Sequence, residues 1–424
     1  MVEFEKHTLP NGLRVIVHRD ETTPIAAVNL LYGVGARDED PDKTGFAHLF
    51  EHLMFEGSVN VKDFDHQLQN AGGENNAFTT NDITNYYLTL PVENLETAFW
   101  LESDRMKGLA FSEEKLRIQK NVVTEEFRQS FLNQPYGDLW LLLRPLAYKV
   151  HPYQWATIGK NIQHIQDTSL QDVKDFFRKY YHPANAILTV GGNVEAREVF
   201  AMAEKWFGEI QAFNGQRKKL PREPEQKEER RLVAERQVPF SQIYIAFHMA
   251  PRNHPEFFPA DLLSDVLANG NSSRLLQDLV KKQRIFSEAN AYVSGSLDKG
   301  LFVVTGKLHP ETPLEKAEEA LWKHLDTLAN QEVGEEELQK VKNKFEASHV
   351  FSESNVLGKA MNLAYYEFIG DADFLNRQID QYWSLEAGDL QKTAASLFRK
   401  EKANTLYYKA VDYETTDKKS KEEA

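Results

Sequence analysis

His48-Leu49-Phe50-Glu51-His52 sets two imidazoles four residues apart, with a carboxylate one residue before the second. On a helix, positions i, i+3 and i+4 share a face, so these three side chains converge. Two neutral imidazoles are good ligands for a borderline-soft divalent cation, zinc above all. The neighbouring carboxylate is placed to take a proton from water that the metal acidifies. The order inverts the His-Glu-x-x-His run of many zinc peptidases. Three fixed positions in five residues also arise by chance in roughly a few per cent of chains this long. Two helical histidines without a metal are then ordinary surface or core groups, so the rest of the chain must complete the site.

Catalytic zinc takes three protein ligands and leaves a fourth position for water. The chain has no cysteine, which excludes thiolate ligands, thiol catalysis and disulfides together. The third ligand is therefore a carboxylate or another histidine. Glu125 and Glu126, in Asn121–Arg128, are candidates on a predicted helix over 112–133, begun by Ser112 with Glu113 and Glu114. Spacing alone does not choose between them and the other acids of the chain.

The elements that must position these residues follow from the pattern. Asn11-Gly12 marks a tight turn between extended runs Phe4–Leu9 and Leu13–His18. Ile25–Tyr32 is a β-rich run closed by Gly33 and Gly35, and a helix from Phe46 to Phe55 carries the pentapeptide, with Gly57 as its stop. Gly72-Gly73 breaks the chain before Asn76–Thr80, and Thr84–Leu90 alternates like a strand that ends at Pro91. A helix over 92–106 precedes the 112–133 helix, and Ile187–Gly192 reads as a strand followed by a helix to Phe207. Residues 214–231 are nearly devoid of apolar side chains and hold two prolines, the composition of a solvated linker. Beyond it the order repeats: Ser241–Phe247 resembles Ile25–Tyr32 and leads through a Pro-containing loop to an apolar helix, Phe258–Leu267. This predicts a duplication of about 200 residues. At the place of the pentapeptide the second copy has Leu262-Leu263-Ser264-Asp265-Val266, which carries no metal chemistry. Tyr413–Ala424 reads as a polar, frayed end.

At 424 residues the chain exceeds what one core organises. The expected layout is an N-terminal zinc-binding domain over 1–213, the linker 214–231 and a homologous domain over 232–424 without the metal motif. Each is expected to be α+β, a mainly antiparallel sheet covered by helices on one face. A net charge of −14, spread along the chain, argues against a nucleic-acid partner. No apolar run approaches the length of a membrane span. Met1–Lys6 has no basic region followed by an apolar stretch, so the sequence as given is expected in the cytoplasm, or in the periplasm if a leader has been removed.

The chain resembles the pitrilysin/insulinase family of zinc peptidases, in its shorter bacterial and mitochondrial-processing-peptidase-like branch. The matching stretches are Leu9–Leu13, Gly45–Gly57, Gly72-Gly73, Asn76–Thr79, Thr84–Tyr87, His151-Pro152-Tyr153 with Ile158-Gly159, Tyr181-His182-Pro183 and Ser272–Leu275. The resemblance implies one Zn2+ per chain on His48 and His52, with Glu51 as the general base. The family's third ligand is a glutamate preceded by a Val-Val-like pair, which aligned on Val122-Val123 is Glu126, leaving Glu125 as a solvated carboxylate. It further implies that Asn76, Ala77 and Phe78 lie on an edge strand that pairs with the substrate backbone, and that Phe55 lines the pocket for the residue after the cut. The substrates would be peptides or small unfolded polypeptides.

Two positions depart from the family. Seven residues before Glu126 the family carries a glutamate behind the metal, and here stands Gln119. In the C-terminal half, active members carry an arginine and a tyrosine seven residues apart that contact substrate. Aligned from Ser273 through Leu279, those positions are Val280 and Ser287, with Arg284 out of register. Some members divide the work between two subunits, so the resemblance implies a hetero-oligomer in which a homologous chain supplies that pair, a homodimer being the other arrangement. A presequence-processing activity is not expected, since the acids it uses would fall where this chain has Phe131, Tyr136 and Trp140. The competing readings are a structural core-protein-like subunit of the same fold and a non-catalytic zinc carrier. The first typically erodes the metal motif that is intact here.

Overall fold

The computed structural model describes residues 1–213, 215 and 219–411. The chain forms two compact units, each assembled from three pieces. One comprises Met1–Gln129, Trp155–Pro221 and Ser348–Gln378; the other comprises Ser130–Gln154, Arg222–Ala347 and the chain from Ile379 onward. The units are thus not two contiguous halves, because a segment of each half packs in the unit built mainly by the other.

The first unit contains β1 (Glu5–Thr8), β2 (Arg14–Arg19), β3 (Ile25–Tyr32), β4 (Glu74–Thr79), β5 (Thr84–Pro91) and β6 (Ala186–Gly192). They lie in the order β1-β2-β6-β3-β5-β4, antiparallel except for β2 beside β6. Gly12 makes the β1–β2 turn at φ 88°, where a Cβ would also meet Ala184 at 2.9 Å. Its main helices before residue 130 are α1 (Phe46–Leu53), α2 (Phe64–Asn70), α3 (Leu95–Lys107) and α4 (Glu113–Phe127). Ser112 caps α4 by accepting from Lys115 N at 3.2 Å, and a π-helical turn, Arg128–Leu132, continues it.

The second unit repeats this plan with β7 (Arg230–Arg236), β8 (Gln242–Met249), β9 (Phe286–Val293), β10 (Gly300–Leu308) and β11 (Asn404–Ala410). Their order, β7-β11-β8-β10-β9, matches β2-β6-β3-β5-β4 strand for strand, including the one parallel pair, β11 beside β7. The two α+β domains with mainly antiparallel sheets are therefore present, and their shared topology is the structural form of the duplication.

Each sheet is covered on its second face too. In the first unit, Leu31 and Ile187 pack with Leu363 and Ala364 of the helix Val356–Ile369, and Ala27 packs with Val356 and Ala360. In the second unit, α5 (Leu139–Ala147) brings Leu143 and Ala147 against Tyr244, Ala246 and Leu406. This explains why β3 is apolar on both faces except at the buried Asn29, which accepts from Asn85 Nδ2 of the neighbouring strand at 2.8 Å.

The charged stretch 214–231 is not solvated throughout. Residues 214 and 216–218 lie outside the described residues, as does the expected frayed end beyond 411. Glu223, however, is buried and accepts from the backbone N–H groups of Lys149, Val150 and His151, and Gln226 donates to Ala403 O. Composition missed this because these polar side chains are buried to satisfy backbone groups, not to form a core. Among the described residues no helix is long and apolar enough to cross a membrane.

Candidate metal centre

α1 presents His48 and His52 one turn apart, their rings 4.9 Å apart and almost perpendicular. α4 brings Glu126 against both: Oε1 lies 3.7 Å from His48 Nε2, and Oε2 lies 3.4 Å from His52 Nε2. Among the described residues these three form the one group of His, Asp and Glu able to surround a metal ion, with ligand atoms within 4.8 Å of one another. Ligands about 2.0–2.1 Å from a tetrahedral zinc stand about 3.3 Å from each other, so the separations across Glu126 are close to those the ion requires. Burial lowers the pKa of His48, which favours the neutral, ligating imidazole. The hydrogen bond from His52 lowers that of Glu126. His48 Nδ1 is buried without a hydrogen-bond partner among the described residues.

Glu125 points elsewhere, 3.6 Å from Arg128 and accepting from Gln129. Glu51, half-buried, accepts from Thr79 Oγ1 at 2.6 Å. Thr79 ends β4, which pairs with β5 on one side and has no strand on the other among the described residues. The period of two places Ala77 and Thr79 on the α1 side of the sheet and Asn76 and Phe78 on the opposite side. Phe78 accordingly packs with the Leu31–Ile187 cluster, and Asn76 is exposed. In the sequence Thr79 is only the last residue of the Asn76–Thr79 stretch, and its place two residues beyond Ala77 is the one signal that it shares that strand face.

Phe55 follows α1 and packs edge-on against Phe64 and beside Tyr86, with the Arg105 guanidinium 5.6 Å from its ring centre. Arg105 is itself buried and paired with Glu102. Gln119 lies two turns before Glu126 on α4, and the bond it makes is from its amide to Glu56 Oε1. A glutamate at 119 would set two carboxylates against each other, so the amide is the complement of Glu56. Gln119 Oε1 is left buried without a partner among the described residues.

The second unit holds no such centre among its described residues. Its counterpart of α1 is the helix Phe257–Leu267, where Asp265 pairs with Lys344 at 2.6 Å. Val280, half-buried, has no polar side-chain atom; Ser287 is exposed and donates to Lys307 O at 3.2 Å. Arg284 is exposed, with φ 54°.

A family model described as Insulinase (Peptidase family M16) matches residues 14–139, and one described as Peptidase M16 inactive domain matches residues 167–345. The zinc protease PqqE of Helicobacter pylori is 32% identical over 416 residues, which is 96% of this chain and 93% of that protein. The chain belongs to the insulinase family, peptidase family M16. Among solved structures, that of a protease from Helicobacter pylori superposes with a TM-score of 0.90 at 30% identity, covering 96% of this chain and all of that one. A peptidase M16 inactive domain from Pseudomonas fluorescens shares the fold, with a TM-score of 0.87 at 17% identity, 97% of this chain and 99% of that one being covered. A probable mitochondrial-processing peptidase subunit beta of Arabidopsis thaliana is 24% identical over 310 residues, 70% of this chain and 58% of that protein.

Proposed function

We propose that this insulinase-family chain is the zinc subunit of a metallopeptidase that hydrolyses peptides or small unfolded polypeptides. In this reading His48, His52 and Glu126 hold one zinc ion and Glu51 is the general base. The observation that carries it is the convergence of two imidazoles and one carboxylate from α1 and α4, with one ligand atom of each within 4.8 Å of the others. Zinc held there supplies Lewis acidity, acidifying water and polarising a peptide carbonyl. Glu51 takes the proton of the attacking water and passes it to the departing amine. Thr79 steadies that carboxylate through one oxygen and leaves the other for the proton.

The edge of β4 that carries no strand among the described residues suits an extended peptide, whose backbone would add a strand beside Asn76, Ala77 and Phe78. Because the Phe78 side chain packs into the sheet, the contribution of that residue is its main chain. Affinity through main-chain bonds reads little sequence, which fits a degrader of varied peptides. Phe55, braced by Phe64 and Tyr86, is the residue proposed to face the side chain after the cut.

Val280 and Ser287 cannot supply a guanidinium or a phenol, so the reading includes a homologous partner chain that does. The test is to purify the chain alone, measure zinc, and assay an unstructured oligopeptide before and after adding the homologous chain that co-purifies with it. Bound zinc with slow cleavage that the partner accelerates is the expected result. Full activity alone contradicts the partner, and failure to bind zinc contradicts the centre.

A further inference from the structure

The helix that carries both histidines is built in a way that leaves its own first turn uncapped. α1 has only eight residues, a length at which an isolated helix is marginal. Its N-cap is Gly45, at φ 90°, which offers no side chain to the first-turn N–H groups. The glycine is obligatory there, since a Cβ would stand 2.7 Å from Ile158 O. The loop that presses against it is held in turn: Lys160 N donates to Thr44 Oγ1 at 3.0 Å, and Gly159, at φ 98°, lies over Thr44.

The missing cap comes from outside the helix. Glu39 Oε2 accepts from Gly45 N and Glu39 Oε1 accepts from Ala47 N, both at 2.9 Å. Ala47 is the residue immediately before His48. Glu39 is 6% exposed, in a wall that includes Trp155, whose indole donates to Ala36 O at 2.8 Å. Burial pushes the Glu39 carboxyl up to about 8, against the pull of the Ala47 and Gly45 N–H groups. An acid kept in so dry a place is costly unless its bonds are used.

We propose that Glu39 is a positioning residue for the metal centre: by gripping both N–H groups at the start of α1 it fixes the position from which His48 and His52 reach the ion. The proposal rests on the zinc reading above. It gives Glu39 no contact with metal or substrate, only control of where the helix begins.

The test uses the full chain stripped of metal, with zinc affinity read by competition against a chelator of known strength. Wild type, His48→Ala, Glu39→Ala and Glu39→Gln are compared, with circular dichroism to establish folding. Glu39→Ala is expected to bind zinc about tenfold more weakly, and with zinc saturating to lose kcat while KM is held. Glu39→Gln, which keeps one acceptor oxygen, is expected to fall between Glu39→Ala and wild type. A folded Glu39→Ala with wild-type zinc affinity overturns the proposal; if that variant does not fold, wild-type affinity in Glu39→Gln does so. Failure of the zinc reading itself would look different, because wild type and His48→Ala would then bind zinc equally poorly.

Discussion

Thr79 Oγ1 donates to Glu51 Oε2 at 2.6 Å, joining the end of the edge strand β4 to the carboxylate that precedes His52. One short bond thus connects the surface proposed to hold substrate with the group proposed to move the proton. A hydrogen bond to a charged acceptor contributes about 1.5–3 kcal/mol.

The first prediction follows directly. Thr79→Val keeps the side-chain shape and removes the donor, and is expected to lower kcat about ten- to a hundredfold. KM should change little, because the main chain of β4 is untouched. Thr79→Ser should restore most of the rate. Steady-state kinetics on one peptide check this, and a Thr79→Val enzyme with unchanged kcat would show that Glu51 needs no such support.

A second prediction concerns the amide at 119. With Glu56 beside it, Gln119→Glu creates a facing pair of carboxylates and is expected to destabilise the fold by about 1–3 kcal/mol. Glu56→Gln combined with Gln119→Glu reverses the donor and acceptor and should recover most of the loss. Thermal unfolding of the two single variants and the double variant gives the coupling. Strictly additive effects would mean that the two side chains do not act as a pair.

The helix Val356–Ile369 is tied to the first sheet by Lys359 Nζ, 2.8 Å from Asp20 Oδ2. The bonds from Lys359 and Thr22 hold the Asp20 carboxyl well below the usual carboxylate range. A depressed pKa in the folded state means that the unfolded chain binds more protons, so this stabilisation is complete above the unfolded value of about 3.9 and is lost as pH falls through the folded one. Asp20→Asn should therefore melt below wild type by a margin that is constant from neutral pH down to about 4.5 and narrows on further acidification. The loss at neutral pH is expected to be about 1–2 kcal/mol. A margin that narrows instead as pH rises would contradict the assignment.

The sequence showed where the chemistry starts but not what holds it. His48, Glu51 and His52 were legible because a helix of period 3.6 makes their spacing a statement about geometry. Glu126 could be nominated only through family resemblance, since it comes from another helix. The supports were hidden for the same reason: Thr79 and Glu51 are 28 positions apart, and Gln119 and Glu56 are 63 apart. Glu39 is only eight residues from Ala47, yet a buried acid acting as a remote cap has no pattern that separates it from a solvated one. The duplication was visible in the order of elements. That each half lends a helix to the sheet of the other was not, because an apolar run records burial on both faces without naming the second neighbour.

In the proposed mechanism one centre binds the metal and Glu51 moves the proton there. That mechanism is tested most directly by Glu51→Gln, with zinc content by elemental analysis and peptide cleavage measured on the same preparation, in the presence of the partner chain. Wild-type zinc content and a rate lowered about a hundredfold to ten-thousandfold are expected. Near-wild-type cleavage by a zinc-loaded Glu51→Gln chain would contradict it.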